Sequence, residues 1–234
     1  MTAQLPLALR WPRRQRFEHF HAGAHNAAAL AGVQALASEP GAPWVYLHGP
    51  TGSGRSHLLL AAAQAASAAG RRVQYLPLAT LADRAAALRG VAGSEWLALD
   101  DLGALAGERE AEHALFDLYN RTRADGGAML FAAAAIPSEL GIALPDLRSR
   151  LGACTQFALK TLDDAERRDV LKAQAAARGI ELDEPVLDWL FARYARDLGA
   201  LLDLLDRLDQ ASLAAQRRIT VPFLRGFLRE AGAP

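Results

Sequence analysis

An apolar run, Trp44 to His48, passes directly into Gly49-Pro50-Thr51-Gly52-Ser53-Gly54-Arg55-Ser56 and then into a helix-patterned segment, His57 to Ala69, stopped by Gly70. Glycines at 49, 52 and 54 let the backbone curl until successive N–H groups and the N-terminus of the helix converge on one point. Phosphate oxygens suit that point, and the spacing is that of a P-loop in the strand, loop, helix context the motif requires. The loop residues from Gly49 to Ser56, with the adjoining His57, are thus the candidate binding residues for ADP or ATP. The Ser56 hydroxyl is placed to face Mg²⁺.

One position departs from the motif. Arg55 stands where a lysine is usual, and a planar guanidinium does not simply replace a compact ammonium between the β- and γ-phosphates. Lys160 and Lys172 are the only lysines among 26 Lys and Arg residues, so drift in an arginine-biased chain is one reading. The other, preferred here, is a site that holds nucleotide as a structural ligand and turns it over poorly.

The remaining chain fits a sheet covered by helices. Short, nearly continuous apolar runs at Val73 to Leu76, Trp96 to Leu99, Ala128 to Ala134 and Thr155 to Leu159 read, with Trp44 to His48, as strands buried on both faces. Helix-patterned segments lie between them, the clearest besides the P-loop helix being Glu110 to Ala124, stopped by Gly126 and Gly127. From Thr161 onward only helices are predicted. The first is opened by a box from Thr161 to Asp164 and closed by Gly179, the second opens at Asp183 with Pro185 in its first turn, and a last short one follows Thr220 and Pro222. Before the last runs a stripe of Leu198, Leu201, Leu202, Leu205 and Leu208, too short for a coiled coil and read as bundle core.

Length and composition agree. The 234 residues suit one large domain with a small appendage, and a hydrophobic share of 51% with 22% charged residues excludes a mainly disordered chain. Lys and Arg total 26 against 26 Asp and Glu, so no whole-molecule field would hold the chain on DNA or an anionic membrane. The longest apolar run, Ala128 to Ile136, is far short of the roughly 18 residues of a membrane span. With no signal-peptide layout at the N-terminus, a cytoplasmic protein is expected. The single Cys154 lacks a charged neighbour in sequence and is read as a buried small hydrophobe.

A second motif supports the first. Trp96-Leu97-Ala98-Leu99-Asp100-Asp101 is an apolar strand ending in two carboxylates, the placement that sets an acid beside phosphate-bound Mg²⁺ at the carboxyl edge of a sheet. Asp100 is expected to hold the metal through water, and Asp101 to polarise an attacking water.

Together these residues resemble the AAA+ proteins of the DnaA family, and within it the Hda branch of regulatory inactivators of DnaA. The likeness runs over nearly the whole chain and includes Phe116-Asp117-Leu118-Tyr119-Asn120-Arg121, Leu144-Pro145-Asp146-Leu147-Arg148-Ser149-Arg150-Leu151 and Arg196-Asp197-Leu198. The arginine in the P-loop is itself shared by Hda proteins. The resemblance implies an AAA+ P-loop domain of the α/β class, with a five-stranded parallel sheet, followed by a small all-α lid. It assigns Arg150 as an arginine finger reaching a nucleotide held by a neighbouring subunit, and Arg196 as the sensor-2 arginine on the chain's own nucleotide. A guanidinium supplied in trans neutralises transition-state charge and is worth about 10³ to 10⁵ in rate. Without the resemblance Arg150 reads as a surface helix arginine, and Arg148 stands beside it as an alternative.

The family pattern is broken at Ala133-Ala134-Ala135, where AAA+ proteins usually carry a polar sensor-1 residue, so hydrolysis at the chain's own site is expected to be weak or absent. Phe17-Glu18-His19-Phe20 resembles the family's adenine-side segment. His19, His21 and His25 are completed as a metal cluster by no acid or thiol except Glu18 and are read as serving another role.

Ahead of the folded body, Gln4-Leu5-Pro6-Leu7-Ala8-Leu9 alternates apolar side chains on a backbone that Pro6 biases toward extension. It resembles the segment by which Hda proteins bind the DNA polymerase III sliding clamp (its beta subunit), with Gln4, Leu5, Leu7 and Leu9 as the contacts. Arg10, Arg13, Arg14 and Arg16 then form a linker able to brush DNA passing through the clamp. The expected organisation is a clamp-binding segment and linker over 1–16, a nucleotide-binding domain over 17–160 and a lid over 161–234. The expected function is negative regulation of replication initiation, by stimulating ATP hydrolysis on DnaA from a clamp-bound, nucleotide-bound state; a homo-oligomer is left open. Three alternatives stand beside it: a self-contained ATPase of helicase-loader type, an adaptor that promotes no chemistry, and a DNA-binding initiator. The last is disfavoured because no helix-turn-helix domain follows the lid.

Overall fold

The computed structural model describes residues 15–193, 198–215 and 219–230. Five strands are present: β1 (Val45–His48), β2 (Val73–Pro77), β3 (Trp96–Asp100), β4 (Ala128–Ala133) and β5 (Thr155–Ala158). They form one parallel sheet in the order β2-β3-β4-β1-β5. β1 pairs with β4 on one side and β5 on the other, His48 standing level with Ala133 and Ala158. The chain leaves β1, crosses two strand positions to reach β2 at the far edge, then returns through β3 and β4 before passing β1 to β5. A reversal of this kind opens a crevice at the carboxyl edge, where the P-loop emerges.

Strand residues alternate between two cores, as the period of 2 requires. Tyr46, Leu97, Leu99, Met129 and Phe131 point into one, filled by Leu88 of α3 (Arg84–Arg89), Leu115 and Leu118 of α4 (Arg109–Ala124), and Leu147 and Leu151 of α5 (Pro145–Gly152). Val45, Leu47, Trp96, Ala98, Leu130 and Ala132 point into the other, closed by α1 (Ala27–Ser38) and α2 (Arg55–Ala68). Both faces of β1, β3 and β4 are therefore dry, which is why those strands read as continuous apolar runs; the two edge strands differ from the sequence reading, β2 being largely half-buried and Thr155, Gln156 and Ala158 of β5 exposed. Asn26, buried just before α1, closes one corner: its Nδ2 donates to the Lys160 carbonyl at 2.9 Å, and its Oδ1 accepts from the Lys160 N–H at 2.9 Å.

The second compact unit begins at Leu162, the first ending at Thr161. Its described helices are α6 (Asp164–Ala176), α7 (Glu184–Arg193), α8 (Leu198–Ala215) and α9 (Val221–Glu230). Leu201, Leu205 and Leu208 of the predicted stripe are buried in this unit's own core together with Leu204, while Leu198 and Leu202 sit at its margin. One boundary differs from the sequence reading. The box opening α6 is formed by Asp163, whose Oδ1 accepts from the Glu166 N–H at 2.8 Å, and Glu166, whose Oε2 accepts from the Asp163 N–H at 2.9 Å. Glu166 is the first side chain in the segment long enough to reach back to its N-cap, and that requirement fixes the cap three residues earlier.

Candidate functional site

β1 ends at His48 and the loop begins with a glycine held against its neighbours. A Cβ on Gly49 would lie 2.3 Å from the Leu159 carbonyl oxygen and 3.2 Å from Ser53 Oγ, so no larger residue fits without moving backbone. Gly54, at φ +91°, adopts the left-handed conformation that releases the chain into α2, and a Cβ there would meet the Phe20 ring at 2.6 Å. Ser53 is itself buried, and Ser53 Oγ and Arg55 Nη1 are buried polar atoms without a hydrogen-bond partner among the described residues. Two orphaned donors in a glycine-lined cradle at a helix N-terminus suit anionic oxygens. Ser56 follows on the first turn of α2, exposed, as the hydroxyl available to a cation.

Phe20 lies over Gly54 and tilts 57° against His57 at 5.5 Å. His57 Nε2 donates to the Arg16 carbonyl at 2.9 Å, since a carbonyl can only accept, and Gln64 Nε2 donates to the Gln15 carbonyl at 2.7 Å. The chain just ahead of the segment resembling the adenine-side element is thus pinned to α2 by the third and tenth residues of the helix. Burial is the main influence on His57 and pulls its pKa below 6.5; the Arg16 carbonyl opposes this, and His19 and His21 add to it.

At the acid edge, β3 runs one residue further than its apolar stretch and takes in Asp100, which is buried. Tyr75 OH donates to Asp100 Oδ2 at 3.0 Å and the Asp101 N–H donates to Oδ1 at 3.0 Å, orienting a carboxylate that retains lone pairs for water or metal. Asp101, at φ 55°, is the one non-glycine residue with positive φ among the described residues. Aspartate is among the few side chains that take this left-handed conformation as single residues. Burial raises the Asp101 pKa above its ordinary value, the adjacent Asp100 carboxylate raises it further, and the Arg55 guanidinium pulls it back. β4 ends at Ala133, and just past it the Ala135 carbonyl accepts from Tyr46 OH at 2.8 Å.

Arg150 lies in α5, in the layer opposite α2. Its guanidinium rests over two α4 rings, 5.0 Å from the centroid of Phe116 and 5.5 Å from that of Tyr119. Among the described residues no carboxylate pairs with it, and the side chain is half-exposed. Beneath it, Tyr119 packs edge-on to Trp44 at 4.5 Å and parallel to Phe131 at 6.2 Å, so the platform is built into the core. Arg148, its alternative, donates from Nη1 to the Ile142 carbonyl at 3.2 Å and is tied to its own chain. Cys154 is buried, with its pKa pushed up to about 11 by that burial. Arg196 and the segment carrying Gln4, Leu5, Leu7 and Leu9 lie outside the described residues. Sequence reasoning missed the Tyr75 support of Asp100 and the Phe20 contact with Gly54; both depend on strands and segments distant in the chain.

A parallel sheet of this order, with a P-loop after β1, an acid-ended strand two positions away and a second, helical unit following in the chain, defines a nucleotide-binding protein of the AAA+ class. Residues 12–158 match the bacterial DnaA ATPase domain family, and residues 164–228 match the lid domain of Hda. The chain belongs to the DnaA-related AAA+ family, as an Hda-like member.

It is 36% identical to an uncharacterized protein of Haemophilus influenzae over 97% of this chain and 99% of that one. Domain III of the Thermotoga maritima replication initiation protein DnaA shares the fold with a TM-score of 0.75 at 19% identity, over 94% of this chain and 98% of that chain. AMPPCP-bound DnaA from Aquifex aeolicus gives 0.70 at 24% identity, over 84% of this chain and 66% of that chain.

Proposed function

We propose that this chain is a cytoplasmic negative regulator of chromosomal replication initiation. Holding its own nucleotide and tethered through Gln4 to Leu9 to the DNA-loaded sliding clamp, it presents Arg150 to ATP bound on DnaA and stimulates hydrolysis there, leaving inactive ADP-DnaA. The observation that carries this reading is the state of Arg150. It is an arginine without an acid partner among the described residues, seated on an aromatic platform and carried by α5, in the layer opposite α2. A guanidinium so held is free to meet phosphate oxygens of another molecule, and it neutralises charge that builds up only in the transition state.

The chain's own site supports a bracing role. Ser53 Oγ, Arg55 Nη1 and the loop N–H groups would hold the phosphates, with Ser56 and Asp100 holding Mg²⁺, the latter through water. Mg²⁺ there would bridge and neutralise phosphate charge. The end of β4 brings only alanine side chains to the edge where a water would need orienting, and Arg55 occupies the place of the usual lysine. These two features speak against a self-contained ATPase of helicase-loader type, for which Asp101 would have to serve as the water-polarising acid.

The test follows radiolabelled ATP pre-bound to DnaA, with and without this chain and the loaded clamp. Hydrolysis is expected to accelerate only when both are present, and deletion of residues 4–9 is expected to remove the effect at low protein concentration. Rapid turnover by the isolated chain, with no acceleration on DnaA, would favour the helicase-loader reading.

A further inference from the structure

Glu112 is a charged residue buried to 1% exposure, in the first turn of α4. Its Oε1 accepts from the Gly107 N–H at 3.0 Å and from the Ala143 N–H at 3.0 Å, and its Oε2 accepts from the Leu144 N–H at 2.8 Å. A carboxylate is costly to bury, and three donated N–H groups are what such a site needs to hold it. Two of the donors are the last residues before α5. The N-cap position of that helix is Leu144, which has no side-chain oxygen, and its first residue is Pro145, which has no N–H. Glu112 therefore supplies from outside the polar anchor that α5 lacks in its own sequence. The third donor, Gly107, lies on the loop that leaves the acid edge of β3.

We propose that Glu112 is the positioning residue for Arg150: it fixes the start of α5, and with it the direction in which the guanidinium is presented. The proposal rests on the trans-acting reading of Arg150. Leu147 and Leu151 seat the inner face of α5 in the core and Tyr119 OH donates to the Arg150 carbonyl at 3.5 Å, while the N-terminal end of the helix is held by Glu112. Residue 150 lies six positions beyond Leu144, about 9 Å along a helix axis, so a tilt of about 10° displaces it by about 1.5 Å. A misplacement of about 1 Å costs roughly 10²-fold in a positioned reaction.

The experiment compares the full-length chain carrying Glu112→Gln, Leu144→Pro or Arg150→Ala in the clamp-dependent DnaA hydrolysis assay, with ADP affinity and amide hydrogen exchange measured on each. Glu112→Gln keeps the volume but sets an NH₂ against a backbone N–H. Leu144→Pro deletes one donor at a residue whose φ of −73° already suits proline. Both are expected to lower the saturated stimulated rate by about 10- to 100-fold, with the half-saturating concentration and ADP affinity unchanged within about twofold. Faster exchange at Ala143 is expected in both. Full stimulation by both variants, while Arg150→Ala abolishes it, overturns the positioning role alone. Stimulation retained by Arg150→Ala overturns the trans-acting reading and this proposal together. Should Glu112→Gln fail to bind ADP, Leu144→Pro decides.

Discussion

Gly49 and His57 show how much of the site depends on single atoms. Replacing Gly49 with alanine puts a methyl group 2.3 Å from the Leu159 carbonyl, a backbone atom that cannot swing aside. Overpacking of that kind costs about 1–3 kcal/mol, and isothermal titration with ADP is expected to show binding lost or strongly weakened, whereas unchanged affinity would mean the loop does not form this cradle. His57 gives a pH test. Its folded pKa is depressed mainly by burial, so the stability it contributes is present above 6.5 and lost as pH falls through the lower folded value. Its imidazole resonance is expected to titrate below 6.5, with melting temperature falling on the acid side; titration at or above 6.5 would contradict the packing of residues 16–20 on α2. The loop residues were legible because glycine spacing writes phosphate chemistry directly into sequence. Glu112 was not, because a single acid in an amphipathic helix looks like any solvated one until the fold brings Gly107, Ala143 and Leu144 to it.

At the scale of elements, β1, β3 and β4 were readable because burial on both faces leaves no polar interruption, and the ends of all five strands fall within one residue of the apolar runs. The helices α1 and α3 escaped notice. α1 is alanine-rich with little amphipathic contrast, and α3 spans only Arg84–Arg89, too short for periodicity to register. Strand order was equally hidden, since the return of β4 to β1 is a non-local pairing that no local pattern encodes. The cap of α6 illustrates a near miss: several acids and a threonine crowd the start, and only side-chain reach separates Asp163 from its neighbours. Removing that cap with Asp163→Ala is expected to cost about 1 kcal/mol, seen as a lower urea midpoint for the second unit. No change would show that the box carries no stability.

The molecule as a whole joins a nucleotide-binding α/β unit to a helical unit, and no helix among the described residues is long and apolar enough to cross a membrane. Its two arginines of interest have different surroundings. Arg55 stands in its own P-loop with a buried Nη1 left for an anion, while Arg150 rests on a platform of Phe116 and Tyr119 with no acid partner among the described residues. The proposed regulation follows from that division: one guanidinium retains a nucleotide, the other acts on a neighbour's. The decisive measurement is the hydrolysis rate of radiolabelled ATP on DnaA, with loaded clamp, beside the unaltered chain and beside Arg150→Ala. The variant is expected to bring the rate down to that of DnaA alone, a loss on the order of 10³-fold or more, while ADP and clamp binding persist. Undiminished stimulation by Arg150→Ala would contradict the account.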